Sequence, residues 1–229
     1  MKWNARQILV IVAAAVIIAA GVVFFVTRGG QPGIDLGGGA TGGDSGGAAG
    51  GPTREELMVA GPLGELAEGD PNAPNTVIEY ASMTCSHCAT FHNTVYRPFK
   101  TKYIDSGKVY FIFREYPLDP LATSAAMLAR CGPKERAFPV IDLLFDQQNN
   151  WAFVQDPKAA LINLVKQAGI SEADFNTCLT NQSILDGVNW VKDRGYKQFG
   201  VDSTPTFFFN GVEHPGALSM EQIDKILGG

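Results

Sequence analysis

The sequence predicts an α/β domain in which a strand–helix–strand unit with a parallel pair is followed by a helical insertion, then a β-hairpin and a last helix. Three observations carry this prediction. Two β-rich runs, 76–82 and 109–116, flank a segment of helical length and pattern at 85–103. The stretch from about 121 to 199 reads as helix after helix. Strand signals then return at 206–209 and 212–214 around Asn210-Gly211, a strong short hairpin signature.

Two segments of different composition precede the domain. Residues 8–26 contain no charge or strongly polar side chain, and as a helix they would span roughly 29 Å, close to the hydrocarbon thickness of a bilayer. Lys2, Arg6 and the α-amino group precede this run and only Arg28 follows it, so the positive-inside bias keeps the N-terminus in the cytoplasm. Residues 1–28 are therefore expected to be an uncleaved, single-pass signal anchor, with the domain on the extracytoplasmic face of the membrane. The competing reading is a cleaved signal peptide, since Ala13, Ala14, Ala15, Ala19, Ala20 and Gly21 are small. Against it, Val22 to Val26 prolong the apolar run and no small-x-small site closes it. Residues 29–51 hold twelve of the 26 glycines and little that could be buried. They read as a flexible tether with a root-mean-square span of about 25–30 Å.

The folded domain is assigned to residues 52–229. The chain carries 18 Lys and Arg against 23 Asp and Glu, and without Lys2, Arg6 and Arg28 the balance falls from −5 to −8. Such a field repels polyphosphate, so nucleic acid is excluded as a partner.

Each element has a local reason. Thr53 and Glu56 stand at capping-box spacing for a short helix over 53–58. Turn-forming residues at 69–75 lead into the first strand, which runs into the helix starting at Cys85. Pro98 lies inside that helix, so a kink is expected there. The insertion divides into helices at 121–131, 136–149, 157–169, 171–179 and 184–199, punctuated by Gly132, Pro133, Pro157, Gly169 and Ser171. Ser219 caps a final helix over 220–227.

The chemistry is concentrated in Cys85-Ser86-His87-Cys88, directly after a strand and at the start of a helix. Cysteines at i and i+3 share a helical face within reach of a disulfide. At the helix N-terminus unpaired N–H groups and the macrodipole favour a thiolate, making Cys85 the expected nucleophile. His87 can donate a hydrogen bond or, protonated, place a positive charge near that sulfur. Cys88, one turn inside, is expected to be the shielded resolving thiol. Stabilising the thiolate stabilises the reduced form, which makes the disulfide an oxidant.

These residues resemble the DsbA-like branch of the thioredoxin superfamily, the thiol:disulfide oxidoreductases of the bacterial envelope. The resemblance rests on Glu79-Tyr80-Ala81-Ser82-Met83-Thr84-Cys85-Ser86-His87-Cys88 and, after the insertion, on Val201-Asp202-Ser203-Thr204-Pro205-Thr206-Phe207. It covers positions 63–229 and implies a thioredoxin-like fold with an inserted helical subdomain. It further implies that Pro205 is a cis-proline facing the active-site sulfurs, that the backbone of Thr204 pairs with an extended substrate, and that Glu79 is a buried acid assisting proton transfer at Cys88. Ser86 stands where the best-known oxidase has Pro, and Thr204 is also found before the cis-proline in isomerase members. The implied activity is a disulfide oxidase with no cofactor beyond the Cys85–Cys88 disulfide. Its partners would be exported proteins with free cysteines and a quinone-linked membrane oxidase for reoxidation.

Rival readings stand beside these. Cys85 and Cys88 could be half of a zinc site, but no second C-x-x-C or H-x-x-x-H lies downstream. Cys131 and Cys178 are expected to form a structural bridge in an oxidising compartment, the alternative being free buried thiols. Pro205 could be a trans-proline starting an edge strand. Met83 and Thr84 could line a substrate groove or pack at the strand end. His92, five residues after His87, is expected on the surface or in packing. At the level of activity, an envelope reductase or isomerase would use the same residues, and a membrane-tethered peptide-binding chaperone would leave the thiols incidental.

Overall fold

The computed structural model describes residues 51–228. The expected anchor at 1–28 and tether residues 29–50 lie outside the described residues. The expected single-pass membrane localisation is corrected, because among the described residues no helix is long and apolar enough to cross a membrane. The eighteen-residue helix Gln182–Phe199 illustrates the reason, since it is amphipathic and carries Asp186, Lys192, Asp193, Arg194 and Lys197.

The five-stranded mixed sheet comprises β1 (Leu66–Glu68), β2 (Asn75–Ala81), β3 (Val109–Glu115), β4 (Thr206–Phe209) and β5 (Val212–Pro215), in the order β1-β3-β2-β4-β5. Only β2 and β3 run parallel, with Val77 opposite Phe111 and Glu79 opposite Phe113. The other neighbours are antiparallel, and Glu79 lies opposite Phe207 on β4. The β4–β5 hairpin turns at Asn210 (φ 51°) and Gly211 (φ 95°), the left-handed pair that a two-residue hairpin loop requires. Asn210 also binds the sheet, its Oδ1 accepting from the Thr76 amide at 2.8 Å. The edge strand β1 has no counterpart in the sequence reading, because three residues are too few to show a period of two.

The helices in chain order are α1 (Arg54–Leu57), α2 (Ser86–Phe91), α3 (Pro120–Arg130), α4 (Ala137–Asp146), α5 (Gln148–Trp151), α6 (Pro157–Val165), α7 (Glu172–Leu179), α8 (Gln182–Phe199) and α9 (Met220–Leu227). Thr53, Ser171 and Ser219 close capping boxes at the starts of α1, α7 and α9. The helix expected over 136–149 divides at Gln147, whose backbone (φ −110°, ψ 21°) leaves the helical region before α5 begins. Beyond α2 the helical path continues through Arg97–Phe99 and two π-helical turns, His92–Tyr96 and Lys100–Ile104. Pro98 has no N–H to give, and the widened turns on either side absorb that loss, so the path continues past it.

Alternation along the strands sorts the core onto two faces. Val77, Ala81, Phe111, Phe113, Phe207 and Phe209 pack toward α2 and the insertion, in one cluster with Phe91, Leu144, Phe145 and Trp151. Ile78, Tyr80, Ile112 and Phe208 pack on the other face with Leu57, Val191, Phe199 and Val201. Glu79 shares the parity of Val77 and Ala81. The same alternation that builds the core therefore places a carboxylic acid, 0% exposed, on the side of α2.

Candidate active site

Strand β2 ends at Ala81, and a turn closed by the Cys85 amide on the Ser82 carbonyl (3.0 Å) delivers the chain to α2. Cys85 is the N-cap residue of that helix, in extended backbone, and its carbonyl accepts from Ala89 at 3.1 Å. Its side chain does not cap the helix and is free to do chemistry. The sulfur is partly exposed and its S–H donates to the Thr204 carbonyl at 3.2 Å. The Thr204–Pro205 peptide bond is cis. Pro205 is buried, and the loop thus brings residues 119 positions apart to the same sulfur.

Cys85 and Cys88 are both free thiols, one half-buried and one buried. Their environments drive them apart. The thiol of Cys88 is the largest influence on Cys85, donating to its sulfur. The Thr204 hydroxyl and the backbone amides of Cys88 and His87 add to this, and against partial burial they hold the Cys85 thiol down to about 5 from an ordinary value of 9.0. The Thr204 hydroxyl oxygen is buried and has no partner among the described residues while Cys85 is a thiol, so it is available to turn to a thiolate. Cys88 is shifted the opposite way. Burial pushes its thiol up strongly, and the nearby Cys85 sulfur and Glu79 push it further in the same direction.

The remaining residues singled out by sequence fall as follows. Ser86 and His87 are exposed on the first turn of α2, and His87 serves Cys85 through its backbone amide. Thr84 is half-buried and donates from Oγ1 to Asp119, the N-cap of α3, at 2.6 Å, tying the active-site loop to the insertion. The substrate-groove assignment of Met83 is corrected: its side chain is 2% exposed within the main core cluster, because it follows β2 inward. Cys131 and Cys178 are joined by a disulfide, with Cα atoms 5.7 Å apart, between the end of α3 and α7.

The roles of two site residues escaped the sequence reading. Gln148, buried at the start of α5, donates from Nε2 to the carbonyls of Met83 (2.8 Å) and Cys85 (3.0 Å), so the insertion grips the backbone of the active-site loop. A lone Gln within a helical run gives no local signal of such a bond. His92 takes the packing alternative rather than the surface one, and what the reading missed is its pairing with Glu79, with Nε2 3.0 Å from Oε2. The spacing of four from Cys88 was the available signal, and the π turn that begins at His92 obscured which face it joins.

Comparison with known proteins agrees with this geometry. A thioredoxin family model matches residues 63–228. A Rickettsia conorii relative whose name describes a protein-disulfide oxidoreductase is 32% identical over 164 residues, 69% of this chain, and the chain spans 57% of that relative's length. A Bacillus cereus relative named for disulfide bond formation is 27% identical over 69% of the chain and 77% of the relative. Among solved structures, alpha-DsbA1 of Wolbachia pipientis superposes with a TM-score of 0.70 at 31% identity, covering 77% of this chain and 94% of that one.

Proposed function

Because the chain belongs to the DsbA-like branch of the thioredoxin superfamily, we propose that it is a thiol:disulfide oxidoreductase that introduces disulfide bonds into exported proteins through Cys85 and Cys88. The observation that carries this reading is the placement of the two thiols: a partly exposed Cys85 sulfur at a helix N-cap, bonded to the Thr204 carbonyl, beside a fully buried Cys88. Such a pair places attack at Cys85 and resolution at Cys88.

In the oxidising direction a substrate thiolate attacks Cys85 of the Cys85–Cys88 disulfide. Its electron pair forms the mixed disulfide while the bond to Cys88 breaks, Cys88 leaving with that pair and taking up a proton. A second substrate thiolate then attacks the substrate sulfur, and Cys85 departs as the stabilised thiolate. The substrate has lost two electrons and the protein holds them as a dithiol. Thr204, whose carbonyl already faces Cys85, offers backbone to an extended substrate segment beside Pro205. A quinone-linked membrane oxidase is the reoxidising partner that this cycle and the family imply.

The test is trapping. A Cys88→Ala variant expressed in a bacterial envelope should accumulate mixed disulfides between Cys85 and exported proteins, resolved by reductant on a gel. An absence of such adducts, with the variant folded, would refute the reading. The in vivo redox state of the wild-type pair separates an oxidase, held oxidised, from a reductase or isomerase, held reduced.

A further inference from the structure

Behind the dithiol lies a buried pair that the exchange steps above leave unused. Glu79 Oε2 meets His92 Nε2 at 3.0 Å, with both side chains almost completely inaccessible. Glu79 Oε1 and His92 Nδ1 are also buried, and neither has a hydrogen-bond partner among the described residues. A buried polar atom left unpaired costs about 1–3 kcal/mol, and such atoms in a native protein call for a reason. The imidazole is clamped in place. It stacks on Phe145 at 4.2 Å and meets Phe91 and Phe113 edge-on at 5.7 and 5.8 Å, with Tyr96 at 4.7 Å.

The titratable groups that act on the ring come from β2, from α4 and from the helical path itself. Glu79 comes from β2, on the inner side, where it helps to push the Cys88 thiol up. Cys88 itself precedes His92 by four residues on the same helical path. From α4 comes Asp142, half-buried, its carboxyl raised by burial, drawn down by His92 and Arg97 and raised by Glu68 and Asp146. Tyr96, one turn further on, donates to Glu68 of β1 at 2.5 Å. The residue β3 presents to the ring is the apolar Phe113.

We propose that His92 relays the Cys88 proton between Glu79 and the half-buried Asp142 on the helical layer, acting through Glu79 as a positioning residue and never touching the substrate. This rests on the dithiol exchange set out above. Cys88 is 0% exposed, so water does not reach its sulfur directly and its proton needs a carrier. When the Cys85–Cys88 bond breaks, the pair left on Cys88 takes a proton from Glu79, Glu79 is reprotonated from His92, and His92 is recharged from solvent by way of Asp142. When Cys88 later attacks a mixed disulfide, the proton returns along the same groups. Electrons move only among the sulfurs.

Single-turnover reduction of the oxidised protein by a cysteine-containing peptide, followed from pH 5 to 8, tests the relay. His92→Gln keeps a hydrogen-bonding side chain but cannot carry a proton, and should slow this step tenfold or more and flatten its pH profile. The Cys85 titration of the reduced variant should be unmoved, which a general structural disturbance would not spare. Asp142→Asn, at a half-buried position, should slow the same step less and decides the matter if His92→Gln fails to fold. A folded His92→Gln with wild-type rate and pH profile, or an Asp142→Asn without effect where His92→Gln is unfolded, would overturn the relay alone. A wild-type protein that exchanges no disulfide with the peptide would overturn both the relay and the function it rests on.

Discussion

At the scale of single residues, the site is governed by where each sulfur meets water and hydrogen-bond donors. Cys85 gains the Cys88 thiol as a donor together with two amides, and its ionisation shifts from the ordinary thiol range to about 5. The sign of the stability effect follows by linkage. A group depressed on folding adds stability that is complete above its unfolded value near 9.0 and is lost as pH falls through about 5. The reduced protein should therefore lose stability relative to the oxidised form, which lacks this thiolate, as pH is lowered from 8 to 4. Paired urea titrations of the two forms check this. Alkylation of Cys85 in the reduced protein should rise through about pH 5 and level off, and in Cys88→Ala, where the leading donor is gone, the inflection should move upward. Gln148 acts at the same scale. Its replacement by Ala leaves the Met83 and Cys85 carbonyls without that donor, at a cost of roughly 1–3 kcal/mol by urea denaturation.

At the scale of elements, two cross-links hold the insertion to itself and to the sheet. The Cys131–Cys178 disulfide closes a separation of 47 residues between α3 and α7, and its removal as a Cys131→Ser, Cys178→Ser pair should cost roughly 2–4 kcal/mol. The buried Arg130–Glu115 pair joins α3 to the end of β3, with Nη2 to Oε2 at 2.8 Å and Nε to Oε1 beside it. Truncating one partner strands a charge that is otherwise matched, so Glu115→Ala should destabilise by about 3–5 kcal/mol, more than the disulfide loss, in thermal or urea unfolding. Helix α8 docks closely because Gly195 has no side chain: a Cβ there would meet Tyr80 at 2.8 Å. That contact belongs to the face of the sheet opposite the dithiol.

At the scale of the whole molecule, the insertion and the sheet share one core. Phe145 and Trp151 of the insertion lie in the same cluster as Phe113 and Phe207 of the sheet, and the thioether of Met83 joins them beneath the active-site loop. A shared core predicts a single cooperative transition, in which near-UV and far-UV circular dichroism coincide along a urea titration. Two separated midpoints would show that the insertion unfolds by itself.

Much of this was written in local sequence. The β-run, the C-x-H-C motif at a helix start, the Asn210-Gly211 turn and the Ser and Thr caps are each decided by neighbours a few residues away, where backbone preference and side-chain reach act directly. These determined the order of elements and the placement of the two cysteines at a helix start. What the tertiary structure decided is what packing brings together across long separations. It turned Glu79 inward by strand parity and drew His92 to it across thirteen residues. It carried Gln148 onto the Cys85 backbone and set the Thr204 carbonyl against a sulfur 119 residues away. Period and propensity report a residue's own chain. The proton environment of a buried thiol depends on charges and donors contributed by other elements, and only their docking fixes those distances.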